Sequence, residues 1–248
     1  MSKIQNVYDD NSFFKEYKSM RESKINANEL IEIPIMKGML PEIKGKKVLD
    51  LGCGDGCMSR YFAEKGASQV LALDISENMI AEAEKQTTYS NVKYDIMAME
   101  DLNKIQDKFD IVFSSLAFHY IEDFGKLMND ISNLLNKGGI LIFSQEHPLV
   151  TASVPSKDIP KYIEKNGKRI FSLSDYNILG ERKFDWNVDG VVKYHRNFST
   201  VINSIISAGM NVKEVKESYA SEEAVKLVPK YIYQKDRPYF MFVKAEKI

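Results

Sequence analysis

The residues with the clearest chemical potential lie in Val48-Leu49-Asp50-Leu51-Gly52-Cys53-Gly54-Asp55-Gly56, where an apolar run reaches a carboxylate and then turns through three glycines. Such a turn brings backbone close to a ligand, because glycine has no Cβ and enters left-handed conformations without steric cost. Asp74 follows 18 residues after Gly56, at the end of the apolar run Val70–Asp74. A carboxylate there can accept hydrogen bonds from both hydroxyls of a ribose. A dinucleotide fingerprint, G-x-G-x-x-G, read from Gly52 needs glycine at position 57, which is Cys57. Asp50 would also oppose the phosphates that a dinucleotide places at this turn. A ligand with an ammonium group and no phosphate reverses that sign.

The chain has three histidines, and each follows or faces a candidate pocket segment: His119 after the fourth strand, His147 after the fifth, and His195 on a hairpin. An unperturbed pKa of about 6.5 suits a general base at neutral pH. His147 is the first choice for that role, with Glu146 to orient it or touch the acceptor. His195 is the second, presented with Tyr194 and Arg196. His119, Tyr120 and Trp186 are further candidates for the acceptor wall. No close ligand spacing such as H-x-x-x-H occurs, and Cys53 and Cys57 have no second pair, so no metal site is expected.

Positioning these groups requires a particular alternation of elements. From Lys47 to Ser144, short runs apolar on both faces (Val48–Leu51, Val70–Asp74, Phe109–Phe113, Ile140–Phe143) are separated by stretches of helical period. That pattern predicts a parallel sheet covered on both sides. Ser76 reads as an N-cap, Gly66 as a helix stop, and Gly138-Gly139 as the stop before the fifth strand. Residues ahead of Pro41 read as two helices, one through Phe13, Phe14, Tyr17, Met20 and Arg21, the other through Leu30, Ile31, Ile35 and Met39. After Pro148 the alternation fails: 150–180 reads as an excursion, and Lys183–Asn187 with Val191–Arg196 as a hairpin turning at Asp189-Gly190. A helix over Ser199–Ala208 and strands through Val212, Val215 and Tyr239–Val243 complete the chain. One domain is expected, with a helical arm (1–44), a cofactor-binding core (45–148), an inserted cap (149–196) and a C-terminal part (197–248) completing the sheet. Residues 1–25 and the 150–196 insertion are expected to form a mobile cover over cofactor and acceptor.

VLDLGCGDG, LALDIS, AMEDL, FDIVFSSLAFHYIED and LLNKGGILIFSQEHP, in this order, resemble the class I S-adenosylmethionine-dependent methyltransferases, and the flanking segments resemble a bacterial small-molecule branch of them. The resemblance implies a doubly wound, seven-stranded Rossmann-like α/β fold, mostly parallel with an antiparallel C-terminal strand. It implies S-adenosylmethionine as cofactor and S-adenosylhomocysteine as product. Asp50 would then meet the cofactor's amino group, Gly52 and Gly54 would floor its methionine part, and Asp74 would take the ribose with Ile75 against adenine. Ala98 and Met99 stand where the family often has Asp-Ala, so adenine N6 is left to Glu100, Asp101 or water. Ser114 and Ser115 would lie beneath the methionine moiety, and Tyr17 and Arg21 would form a lid.

Lys and Arg number 34 against 35 Asp and Glu, a formal net charge of −1, which supplies no general attraction for nucleic acid. The fourth strand ends in Ser114-Ser115-Leu116-Ala117, without the Asn/Asp-Pro-Pro-aromatic motif of enzymes that methylate exocyclic base amines. A small-molecule acceptor is expected. The alternatives are an RNA or protein methyltransferase and a non-catalytic S-adenosylmethionine-binding protein. A polar N-terminus, two cysteines and the lack of a long apolar run point to a cytoplasmic protein without membrane contact.

Overall fold

The computed structural model describes residues 6–10, 14, 23–154, 162–186 and 188–248, with the side chains of 7 and 185–189 excluded. A π-helical turn, Asn28–Glu32, leads into α1 (Ile33–Met39). The core then runs through β1 (Lys47–Leu51), α2 (Cys57–Glu64), β2 (Gln69–Asp74), α3 (Glu77–Gln86), β3 (Val92–Ile96), β4 (Phe109–Ser115), α4 (Phe124–Leu134) and β5 (Leu135–Glu146). A short α5 (Pro148–Thr151) opens an excursion of two hairpins, β6 (Tyr162–Lys165) with β7 (Lys168–Phe171) and β8 (Gly180–Trp186) with β9 (Val188–His195). The chain then forms α6 (Phe198–Ser207), β10 (Met210–Glu217), α7 (Glu222–Leu227), a 3-10 segment Pro229–Lys235, and β11 (Phe240–Lys247).

The main sheet has seven strands in the order β10-β11-β5-β4-β1-β2-β3, with β11 antiparallel to both neighbours. The alternation of its strands explains the two buried layers. Leu49 and Leu51 of β1, Val112 of β4 and Leu141 of β5 face one layer, which α4 and α6 cover with Leu127, Ile131, Val201 and Ile205. Val48, Ile111, Phe113 and Ile142 face the other, covered by Met36, Met39 and Phe62 of α1 and α2. The expected doubly wound fold is present. Burial on both faces is the reason those strands read as continuous apolar runs.

Some local expectations shift. The helix before β5 ends at Leu134 rather than at Gly138-Gly139, because Leu135 is already extended and pairs with Phe109 across a register irregularity that takes up the glycines. The hairpin β8–β9 does not turn at Asp189-Gly190; both lie inside β9, and a bulge falls between Phe184 and Trp186. The β6–β7 hairpin was not anticipated, although Asn166-Gly167 joins it with φ of 53° and 70°, the left-handed pair that a type I′ turn requires. The expected helix through Phe13 and Arg21 lies largely outside the described residues.

Candidate active site

Strand order reverses beside β1, whose neighbours are β2 and β4, and a cavity of about 1570 Å³ opens at the carboxyl ends of these strands. This is where open α/β sheets bind ligands. Its volume exceeds the roughly 300–1,000 Å³ usual for one drug-sized ligand, leaving room for two.

At the β1 end, Asp50 is 1% exposed and accepts a hydrogen bond from the Ser59 hydroxyl at 2.6 Å. Burial, against the Ser59 bond and with help from Asp74 and Asp55, raises its pKa from 3.8 to about 7. Gly52 donates its N–H to the Leu73 carbonyl and has φ +68°; a Cβ there would lie 2.6 Å from Ala117 Cβ and 3.1 Å from Met99 Cε. The turn therefore passes into a slot that admits only glycine. Asp74 is held by two backbone donors, Gly54 N–H on Oδ2 and Ser76 N–H on Oδ1, each at 2.9 Å. Burial raises its pKa against these bonds. Ser76 caps α3 through the Met79 N–H and donates to Asp9, so residues 6–10 dock at this edge and bring Tyr8 into the cavity wall.

Ile75, Ala98, Met99, Glu100 and Ser115 line the same half of the cavity, as the sequence led us to expect. Ser114 does not: it is fully buried and donates to the Leu51 carbonyl, tying β4 to β1. Asp101 is also turned away, paired with Lys104 at 3.0 Å. Ser115 donates to Glu32 Oε1, which also accepts from Ser144 at 2.6 Å. This buried carboxylate was missed in the sequence, where its only signal is a Glu inside the apolar run Leu30–Met36. Ser144 in turn accepts from the Leu116 N–H, holding that residue at φ +53°, a strained value for a side chain with a Cβ. Tyr17 and Arg21 lie outside the described residues, and the side chain of Trp186 outside the described side chains.

The other half of the cavity is walled by His119, Tyr120, Glu146 and Tyr194. His119 is 4% exposed, and its Nδ1 accepts from the Glu146 N–H, which places its proton on Nε2. Burial lowers its pKa to about 3, so the ring is a neutral donor. Glu146 pairs with buried Lys193 at 2.6 Å. Burial, reinforced by Glu122, raises the Tyr194 phenol above its ordinary value.

His147 and His195 are not in the cavity wall, and neither is placed as a base. His147 caps α5 by accepting the Leu149 N–H on Nδ1, while Nε2 meets Glu217 at 2.8 Å; burial lowers its pKa against that partner. His195 is bonded at both nitrogens, to Thr151 Oγ1 and the Tyr176 carbonyl. Arg196 also turns inward, donating to the carbonyls of Ile121, Glu122 and Tyr194, and so fastens β9 to the loop after β4. Sequence spacing put all three near the site, but their partners come from distant segments that spacing does not reveal. The reading also missed the segment between β10 and β11, which supplies Tyr231, Tyr233, Arg237 and Tyr239 to the wall.

A methyltransferase-domain family profile matches residues 49–143. A solved S-adenosylmethionine-dependent methyltransferase from Mesorhizobium loti is 35% identical, superposes with a TM-score of 0.80, and the match covers 90% of this chain and 98% of that one. The chain belongs to the S-adenosylmethionine-dependent methyltransferases. Its cofactor is S-adenosylmethionine, and the site suits that ligand: a buried carboxyl for a cation, a glycine slot under it, and a held carboxylate at the next strand end. Partial relatives of this methyltransferase include malonyl-[acyl-carrier protein] O-methyltransferase of Enterobacter lignolyticus, 36% identical over 42% of the chain and 41% of the relative. Ubiquinone biosynthesis O-methyltransferase of Neisseria meningitidis is 28% identical over 48% and 56%. The chain thus spans about half the length of these two relatives or less. Among the described residues the methyltransferase has no His/Cys/Asp/Glu cluster able to hold a metal, and no helix long and apolar enough to cross a membrane.

Proposed function

We propose that this methyltransferase acts on a small-molecule acceptor held in the half of the cavity between His119, Tyr120, Glu146 and Tyr194. The observation that carries this reading is the cavity itself, large enough for two ligands and walled by residues of both hairpins. The balanced charge of the chain agrees, as do the names of the two partial relatives, both O-methyltransferases.

In this reading Asp50 receives the cofactor's ammonium group, Gly52 and Gly54 support its methionine part, Asp74 receives the ribose hydroxyls, and Ile75 and Met99 hold adenine between them. The bound cofactor supplies a sulfonium methyl, transferred by in-line displacement without a covalent enzyme intermediate. The chain's contribution is to align the acceptor and exclude water. His119, neutral with its proton on Nε2, orients an acceptor oxygen by donation rather than removing a proton. With His147 and His195 bonded at both nitrogens, imidazole has no part as a base. Residues 6–10 and the two hairpins close the site.

The test is incubation of the purified protein with methyl-labelled S-adenosylmethionine and a cell extract separated into small-molecule and macromolecular fractions. Label is expected in a small molecule that mass spectrometry then identifies. Label confined to RNA or protein would overturn the acceptor class, and cofactor that binds but is never turned over would overturn catalysis.

A further inference from the structure

Among the described residues, the acceptor end of the cavity holds a guanidinium that forms no ion pair. Arg237 is 7% exposed and lies in the cavity wall. Among the described residues its guanidinium has no ion pair, and its buried Nε has no hydrogen-bond partner. Its close side-chain contact is the face of Phe171, 4.6 Å away. Glu146, the carboxylate whose charge acts on it, is engaged by Lys193 at 2.6 Å.

Backbone hydrogen bonds and the Ser218 hydroxyl hold the loop that carries Arg237. Its own N–H donates to the Tyr233 carbonyl, the Ser218 hydroxyl accepts the N–H groups of Tyr239 and Phe240 and donates to Gln234, and the Tyr239 carbonyl accepts from His147. A second guanidinium stands in the wall: Arg169 lies between the rings of Tyr162 and Tyr233, at 3.8 and 4.0 Å, in a long ion pair with Glu164 at 3.9 Å, and among the described residues its Nε has no hydrogen-bond partner. Aromatic faces offset the burial of a cation only in part, and a buried charge is normally paired. Asp50 and Asp74 line the same cavity at the ends of β1 and β2, so Arg237 and Arg169 stand apart from the carboxylates that suit the cofactor's ammonium.

We propose that the methyl acceptor is an organic acid, a carboxylate on a planar apolar body, whose anionic group is received by Arg237 beside Arg169. The proposal rests on the reading of this half of the cavity as the acceptor site. A carboxylate matches the planar fork of a guanidinium with two parallel hydrogen bonds, and the rings of Phe171 and Tyr239 offer a wall for a flat body.

The probes are benzoate, phenyl phosphate and the neutral isostere benzamide, titrated calorimetrically into protein saturated with S-adenosylhomocysteine. Benzoate is expected to bind about tenfold more tightly than benzamide, with a preference that weakens as salt rises. Arg237→Gln is expected to remove the preference while S-adenosylhomocysteine affinity stays at its original value, which separates failure of this proposal from failure of the cofactor site. Arg237→Met is expected to keep or raise the Tm of the ligand-free protein, since it removes an unpaired buried charge; an arginine with only a structural role would give a fall. Should Arg237→Gln not fold, Arg237→Lys is expected to keep a reduced preference for benzoate. Benzamide binding as well as benzoate, a preference that survives Arg237→Gln, or no binding by either anion overturns the proposal. Phenyl phosphate binding more tightly than benzoate overturns the carboxylate and assigns the site to phosphate esters.

Discussion

Asp50 offers the sharpest quantitative test, because its burial and its ligand act on it in opposite directions. In the ligand-free protein its carboxyl is buried, with Ser59 as a hydrogen-bond donor, and its pKa lies near 7 instead of 3.8. At 1.36 kcal/mol per pH unit, ionising it in the folded state costs about 4 kcal/mol more than in the unfolded chain. Because the folded value lies above the unfolded one, stability is lost as pH rises from about 3.8 to about 7, and the full loss persists above that. Asp50→Asn cannot ionise, so it should be more stable than the original protein at about pH 8, by as much as about 4 kcal/mol, and little different at about pH 4. An ammonium ligand reverses the balance by favouring the carboxylate. S-adenosylhomocysteine affinity should therefore rise up to about tenfold per pH unit below 7 and level off above it, with about half a proton released per ligand at pH 7. Calorimetric titration in buffers of different ionisation enthalpy reads both quantities. Asp50→Asn should lose the slope and weaken binding by about 1–3 kcal/mol. Affinity independent of pH between about 5 and 7 in the original protein, or a variant less stable than it at about pH 8, would refute the reasoning.

Asp74→Ala leaves the Gly54 and Ser76 N–H groups without their acceptor as well as removing the ribose partner, and should weaken S-adenosylhomocysteine binding by about 1–3 kcal/mol, read by the same titration. His147→Ala removes the α5 cap and the Glu217 contact, so it should lower stability by about 1–2 kcal/mol, a Tm fall of several degrees, while kcat changes only a few-fold; a loss of about 100-fold in kcat with an unchanged Tm would restore it as a base. Gly56→Ala puts a Cβ 2.3 Å from the Tyr94 hydroxyl at φ +75°, and denaturant titration should show a loss of about 2 kcal/mol or more, partly recovered by Tyr94→Ala. Asp9→Ala removes the acceptor for Ser76 and Asn78 that docks Tyr8, and should weaken S-adenosylhomocysteine about fivefold, as expected for one hydrogen bond; unchanged affinity would detach residues 6–10 from the cofactor's cover.

The sequence made the core legible because its signals are local. Strands buried on both faces show as apolar runs, α3 declares its start with Ser76, and Asp50, Gly52 and Asp74 are fixed relative to one another by a strand end and a turn. The acceptor half depends on contacts between segments far apart in sequence. His147 and His195 were placed correctly on their elements, yet their partners Glu217 and Thr151 decide what they do, and those are 70 and 44 residues away. Arg237 sits just before Pro238, in a stretch of short helical turns without a sustained period, so no pattern marked it. Asn166-Gly167 was a readable hairpin signal, and Glu32 an acid in an apolar run; both were visible without their purpose being so.

The stretch recognised as a methyltransferase domain stops at Phe143, just short of Glu146. Arg169, Tyr194 and Arg237 come from three separate pieces of chain outside the strands that hold Asp50 and Asp74, while Glu146 is the last residue of β5. On the proposed reading, replacing any of these three pieces would reshape the acceptor end of the cavity and leave Asp50 and Asp74 in place. If the acceptor is held as proposed, a lineage built this way could exchange one acceptor for another while keeping its methyl donor.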